Sequence, residues 1–424
     1  MHDKINPIGG HQSGDHGGLD VSRRHVLAGL AATGAAAMAA TGTEAATVNP
    51  PAGVKDWLLA EGQSPITIPL DYLGIHSDHG VSPRVKAPTY PYDAIRSHDV
   101  DNGNDEPATQ WADIEKRPGI FDWRGPDAWF NTHKDKTRIW VLFGTPQFYQ
   151  KYPGEPFPYP THPGGASPPR DPNDAAKFVK AVLDRYPGKV HFLEIWNEPN
   201  FGQGTDPHLT RWQPNKDNPA WFSGTASEMA EMARAVKAVL PKDVKLMAGA
   251  WAWQAQADQL NPQNAVLRFS AAPDGAGGIG RDHVDVISTH LYTYHNDPNA
   301  RIEEIRSYER LFDQAGYPKT MLRYATEAGA WYPGVYTETT PPVPQKVIEI
   351  KRFCMIPAAM GYAGVYLYKH SNLVSLGDPA KVPEISAAIG EMRNGLRGKT
   401  LLRAALLEDD TIWMSFSDGT QLRA

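Results

Sequence analysis

His191-Phe192-Leu193-Glu194-Ile195-Trp196-Asn197-Glu198-Pro199-Asn200 is an apolar run that ends abruptly in an amide, a carboxylate and a proline. Val190 to Ile195 reads as a buried strand, because the run is short, largely apolar and preceded by the turn signal Pro187-Gly188. Pro199 cannot donate to a sheet ladder, so pairing stops there. Asn197 and Glu198 therefore sit at the strand's C-terminal lip. In a parallel α/β protein the last side chains of each strand project from that lip into the mouth enclosed by the following loops.

Working outward, strand-like runs recur with helical stretches between most of them, the pattern of a parallel sheet whose crossovers are helices. Eight runs qualify: Tyr72–His76, Ala94–Ser97, Arg138–Phe143, Val190–Ile195, Lys245–Gly249, Val284–Thr289, Thr320–Ala325 and Gly364–Tyr368. Eight units close a (β/α)8 TIM barrel, with an open sheet as the other arrangement. Asp174–Tyr186, Ser227–Leu240, Ile302–Ala315 and Pro344–Ala359 carry apolar residues at helical spacing and read as outer helices. Asp171-Pro172 and Thr225-Ala226-Ser227-Glu228 supply helix starts. The first crossover, Ser77 to Asp93, holds Pro83, Pro88 and Pro91 and should carry no regular helix. Gln147–Asp171 and Phe201–Asn218 follow the third and fourth strands and read as loops over the mouth. Thr400–Leu407 and Thr411–Phe416 alternate around Glu408-Asp409-Asp410 and predict a short C-terminal β-hairpin extension.

Ser22-Arg23-Arg24-His25-Val26-Leu27, followed by the Ala/Gly-rich stretch Ala28 to Ala40, matches a twin-arginine export signal. Cleavage is expected near Ala39 or Ala45, and the stretch is too short to anchor the chain in a bilayer. The domain reading is thus 1–46 leader, 47–395 barrel and 396–424 extension, with a periplasmic or secreted destination. The 424 residues carry a formal charge of −6 and are 41% hydrophobic. No basic block marks the mature region, which argues against nucleic acid and against acidic membrane surfaces. The single cysteine, Cys354, excludes an internal disulfide. Twelve tryptophans and seventeen tyrosines suit a ligand with flat apolar faces, such as a sugar. Oligomeric state is not readable.

A second carboxylate matters more than any of this. The strand Thr320–Ala325 runs into Thr326-Glu327-Ala328-Gly329, so Glu327 stands at the lip of the seventh strand as Glu198 does at the fourth. Two opposed glutamates meet the needs of glycosidic bond cleavage: one protonates the leaving oxygen, and the other meets the oxocarbenium-like centre. Counting in period two, Glu194 and Arg323 share the inward parity of Glu198 and Glu327. Each then needs a charged or polar partner inside the barrel, with the other one candidate.

Ile195-Trp196-Asn197-Glu198-Pro199-Asn200 with Thr326-Glu327-Ala328-Gly329 resembles the clan A retaining glycoside hydrolases, and within them glycoside hydrolase family 39 with related exopolysaccharide glycosidases. The likeness extends to Trp111-Ala112-Asp113-Ile114-Glu115, Gly119-Ile120-Phe121-Asp122-Trp123, Gly144-Thr145-Pro146 and His290-Leu291-Tyr292, and so covers most of Leu73 to Tyr368. It implies a hydrolase of O-glycosidic bonds acting by double displacement without a cofactor. In those terms Glu198 is the general acid/base, Glu327 the nucleophile, and Asn197 the ligand of the sugar 2-hydroxyl. Arg96 would orient the nucleophile, and His290 and Tyr292 would line the subsite of the reacting sugar. The likeness does not reach the sugar or the linkage, and the eighth strand ends in Tyr366-Leu367-Tyr368-Lys369-His370 where many clan members place a tryptophan.

Plainer readings stand beside these. Arg96 could pair with Asp99 or Asp101, and His290 could be a hydrogen-bonded core histidine. Trp251 with Trp253, Trp331 with Tyr332, and Tyr149 with Tyr152 follow strand ends and are either stacking platforms, Trp251 and Trp331 foremost, or loop packing. His76-Ser77-Asp78-His79 invites a metal, but zinc needs three or four convergent ligands, so no metal is expected and His76 reads as a rim contact. A carbohydrate-binding protein without catalysis is the alternative function, although two carboxylates give a binder of neutral sugars nothing.

Overall fold

The computed structural model describes residues 51–77, 81, 86–98, 108–155, 162–200, 221–252, 264–294, 297–331, 341–368 and 379–424. In chain order the elements are β1 (Val54–Leu59), β2 (Ile66–Thr67), β3 (Leu73–His76), β4 (Ala94–Arg96), α1 (Trp111–Ile114), β5 (Glu115–Arg117), β6 (Ile120–Phe121), α2 (Arg124–Thr132), β7 (Thr137–Leu142) and α3 (Pro172–Arg185). There follow β8 (Phe192–Ile195), α4 (Ala226–Lys237), β9 (Lys245–Trp251), α5 (Ala265–Ala271), β10 (Val286–Tyr294), α6 (Pro298–Ala315), β11 (Leu322–Trp331), α7 (Val343–Ala359) and β12 (Gly364–Leu367). α8 (Pro383–Leu396), β13 (Thr400–Leu407), β14 (Ile412–Phe416) and β15 (Gln421–Arg423) complete the chain.

Eight parallel strands close in the order β3-β4-β7-β8-β9-β10-β11-β12, which is the (β/α)8 TIM barrel, and they fall on the eight predicted runs. The helix starts follow the capping logic. Asp171 accepts from Asn173 N at 2.9 Å ahead of Pro172. Thr225 and Glu228 form a reciprocal capping box, with Glu228 N donating to Thr225 Oγ1 at 3.0 Å and Thr225 N to Glu228 Oε2 at 2.6 Å. α2 and α5 were not legible: the first opens with Gly125-Pro126 and the second has seven residues, too few to show a period. α8, which the expected helices also omit, closes the last βα unit.

The predicted hairpin is present as β13 and β14, and it grows into a larger sheet. β1 pairs antiparallel with β13 through Val54↔Leu407 and Leu59↔Ala404, and β2 and β15 add further pairs. The N-terminal strand, which the reading assigned to the barrel, thus belongs to the terminal sheet. An isolated two-stranded hairpin is marginal in water, and pairing its open edge supplies both hydrogen bonds and a second apolar face. The sheet packs on α7.

One strand departs from simple alternation in a way that shapes the site. Thr289 and His290, neighbours on β10, pair with Ala325 and Glu327, so Thr326 is an extra residue on β11. This bulge re-aims everything beyond it. Tyr324 and Thr326 point inward, Tyr324 meeting Phe192 of β8 at 5.2 Å and Thr326 donating to Glu194 at 2.9 Å. Arg323 therefore faces outward and pairs with Glu309 of α6 at 2.6 Å. The parity argument is right for Glu194 and wrong for Arg323, because the bulge adds one residue between Arg323 and Glu327.

Candidate active site

The site grows from the end of β8. Trp196 and Glu198 adopt φ of 69° and 42°, a left-handed backbone that costs non-glycine residues on the order of 1–3 kcal/mol each. Trp196 is fully buried between Phe143 and Phe222, and its Nε1 donates to Trp221 O at 2.6 Å. That packing holds the turn that brings Asn197 and Glu198 to the barrel axis.

Arg96, at the end of β4 and fully buried, ties three residues together. Its Nε donates to Glu194 Oε2 at 2.6 Å, Nη1 to Glu327 Oε1 at 2.6 Å and Nη2 to Asn197 Oδ1 at 2.9 Å. Burial alone would lower its pKa, but Glu194 and Glu327 together hold it above the ordinary arginine value. Tyr292 Oη donates to the other oxygen of Glu327 at 2.8 Å. Burial first, and then the Glu327 charge, push the Tyr292 phenol well above its usual range, so it remains a donor. With one oxygen on arginine and the other on tyrosine, Glu327 is fixed in orientation.

Glu198 has different company. His290 is fully buried and its Nδ1 lies 2.7 Å from Glu198 Oε1 and 3.5 Å from Glu327 Oε2. One oxygen of Glu198, one of Glu327 and a ring nitrogen of His290 all lie within 4.8 Å of one another. Beyond Glu327, His76 Nδ1 stands 3.7 Å and His98 Nδ1 3.8 Å from its Oε1. The wall is aromatic: Tyr368 meets His76 at 4.8 Å, and Trp221 and Phe143 meet His98 at 5.7 and 4.9 Å.

The fold therefore gathers Glu198, Glu327, Asn197, His290, Tyr292 and Arg96 into one cluster. Arg96 pairs with Glu194 and Glu327; Asp99 and Asp101 lie outside the described residues. Trp251 is not with the others. It is 1% exposed, packs on Phe269 of α5 at 5.7 Å, and its carbonyl accepts from Tyr308 at 2.8 Å, because β9 curls at Gly249 (φ 122°) and Ala250 (φ 43°). The packing reading holds for it. Trp331 ends β11, and its side chain lies outside the described residues, as do Trp253 and Tyr332. Tyr149 and Tyr152 hold the loop after β7, donating to Glu115 at 3.1 Å and Glu228 at 2.7 Å. His76 is not a rim residue but 1% exposed beside Glu327. His98, Thr326 and Trp221 were missed as site residues: Thr326 was read only as part of the Glu327 motif, His98 and Trp221 belong to no motif, and only the strand-lip position of His98, two residues past Arg96, could have pointed to it.

No described protein family matches the chain in sequence, and no curated protein does. Solved structures do match. A family 39 glycoside hydrolase from the gut symbiont Bacteroides cellulosilyticus superposes with a TM-score of 0.53 at 16% identity, over 84% of this chain and 69% of its own. The two share the (β/α)8 barrel fold. A glucosidase from Croceicoccus marinus aligns at 0.51 and 14% identity, over 85% of this chain and 77% of the other. A 4-O-α-L-rhamnosyl-β-D-glucuronidase from Fusarium oxysporum aligns at 0.51 and 13% identity, over 86% and 77%. The expected resemblance to family 39 thus holds at the level of the fold.

Proposed function

We propose that the chain is a retaining glycoside hydrolase that cleaves O-glycosidic bonds of oligo- or polysaccharides, with Glu198 as acid/base and Glu327 as nucleophile. The observation that carries this is the pair itself: an oxygen of each lies within 4.8 Å of the other, with Glu327 held by Arg96 and Tyr292 and Glu198 meeting His290. Retention calls for carboxyl groups about 5–5.5 Å apart, and inversion for about 6.5–9.5 Å to admit a water. The close pair supports direct attack. Glu327, held by Arg96 and Tyr292, attacks the anomeric carbon as Glu198 gives its proton to the leaving oxygen. Water, deprotonated by Glu198, then releases the sugar. Asn197, steadied by Arg96, offers its amide N–H to a sugar hydroxyl.

Two variants separate the roles. Glu327→Ala should abolish turnover of aryl β-glycosides, whereas Glu198→Ala should still form the covalent intermediate from substrates with good leaving groups. NMR of the first-formed anomer decides the stereochemistry: an inverted product overturns the proposal, and sugar binding without turnover returns the chain to the non-catalytic alternative. The proposal includes export through Arg23-Arg24 to the periplasm or beyond. Replacing both arginines with lysine should strand the protein in the cytoplasm, as fractionation would show.

A further inference from the structure

We propose that His76, His98 and Glu327 form a binding site for a borderline divalent transition-metal ion of the zinc or copper kind, whose occupation withdraws Glu327 from catalysis. The metal reading of His76-Ser77-Asp78-His79 considered neighbours in sequence. The fold instead supplies ligands from separate strands: β3 brings His76, the residue pair after β4 brings His98, and β11 brings Glu327.

A ring nitrogen of each histidine and one carboxylate oxygen lie within 4.8 Å of one another. The Nδ1 atoms stand 3.7 and 3.8 Å from Glu327 Oε1. Donors bound to one ion at about 2.1 Å, with angles between tetrahedral and trigonal, stand about 3.4–3.6 Å apart. Both nitrogens thus stand close to ligand spacing from the carboxylate oxygen, and a small inward shift would close all three on one ion.

The outer contacts agree. His76 Nε2 faces the backbone carbonyl of His98, which can only accept, so that nitrogen carries the proton. In the neutral ring the Nδ1 lone pair then looks toward Glu327, and a ligating histidine characteristically has this arrangement, its far N–H on a carbonyl. His98 is set by ring contacts to Phe143 and Trp221. All three residues are more than nine-tenths buried. Two imidazoles and a carboxylate suit zinc and copper better than magnesium or calcium. Charge also favours a dication: Glu194 and Glu327 share the guanidinium of Arg96, and Glu198 adds a third carboxyl beside Glu327. Arg96 already occupies one lone pair of Oε1, which weakens the site relative to a dedicated zinc centre.

The blocking effect rests on the proposed role of Glu327, but metal binding does not, so the two can fail separately. Zinc titration of the full, chelator-stripped chain by calorimetry should show saturable binding that weakens at least tenfold in both His76→Ala and His98→Ala. Copper electron paramagnetic resonance should show coupling to two nitrogens in the wild type and to one in either variant. Circular dichroism checks that each variant folds, with His98→Gln read in place of one that does not. Absence of saturable zinc binding, or histidine variants that match the wild type in affinity and nitrogen coupling, would overturn the site. If zinc binds as expected but aryl glycoside turnover in an active preparation is not inhibited reversibly, the blocking role is lost.

Discussion

Arg96 is the residue on which the others depend. Its guanidinium spends its donors on Glu194, Glu327 and Asn197, so the orientation of both inferred substrate-facing groups passes through one side chain. Glu194 is the anchor of that arrangement, holding Arg96 with one oxygen and accepting from Thr326 with the other. Removing one partner of a buried ion pair leaves an uncompensated charge, so Glu194→Ala should destabilise the fold by about 3 kcal/mol or more. Arg323, paired at the surface side of β11 with a Glu309 carboxyl that is 35% exposed, is a different case. Arg323 itself is buried under α6, but Arg323→Ala leaves behind a carboxylate that water can reach, so it should cost less than Glu194→Ala, about 1–2 kcal/mol. Urea denaturation of the two variants checks the contrast, and equal losses would contradict the assignment of Arg323 to the outside.

At the scale of elements, the bulge in β11 does what no substitution could do at one position. It lets Thr326 reach Glu194 and Glu327 reach Arg96 from consecutive residues, which strict alternation forbids. Deleting Thr326 should restore alternation with Arg323 still outward and Glu327 still inward, but it removes the hydroxyl that donates to Glu194. The variant should therefore melt earlier than the wild type yet keep more turnover than Glu327→Ala, and turnover as low as that of Glu327→Ala would contradict this. The loop after β7 is fixed by comparable local means. Gln150 Nε2 donates to the carbonyls of Thr145 and Pro163, His162 meets Asp113 at 2.8 Å, and Tyr152 is tied to Glu228 at the start of α4.

Across the whole molecule, the cluster is braced from outside the barrel. Glu304 of α6 is buried, and its Oε1 accepts from Tyr292 N at 3.3 Å, directly behind the tyrosine that holds Glu327. Burial pushes its carboxyl up to about 7, and Arg301 offsets only part of this. A carboxyl raised on folding binds more protons in the native state than in the unfolded chain. Its stabilising contribution is therefore complete below the unfolded value and lost as pH rises toward and through 7. The wild type should lose on the order of 3 kcal/mol between about pH 4 and pH 8 from this group, a slope that Glu304→Gln should remove. Thermal unfolding across that range measures it. Cys354 is also buried, its thiol pushed up to about 12 by burial, and is protected from redox chemistry. No helix among the described residues is long and apolar enough to cross a membrane.

By itself the sequence determined the eight strands, the helices α3, α4, α6 and α7, the caps of α3 and α4, and the two lip glutamates. These rest on local physics: apolar periodicity, capping side chains, and the proline that ends pairing at Pro199. The motif Trp196-Asn197-Glu198-Pro199 was legible because consecutive residues share one turn. What only the tertiary structure decided is what crosses between strands. Arg96 could be placed at a strand end, but its pairing with Glu194 and Glu327 depends on barrel closure. His98 beside His76, β1 beside β13, and Trp251 on Phe269 are contacts between distant segments with no local signature. The bulge at Thr326 is the sharpest instance. A single extra residue leaves no mark on composition or periodicity, yet it reverses the face of every side chain before it relative to every one after, so Arg323 went to the outer face of the barrel, under α6, while Glu327 stayed at the axis.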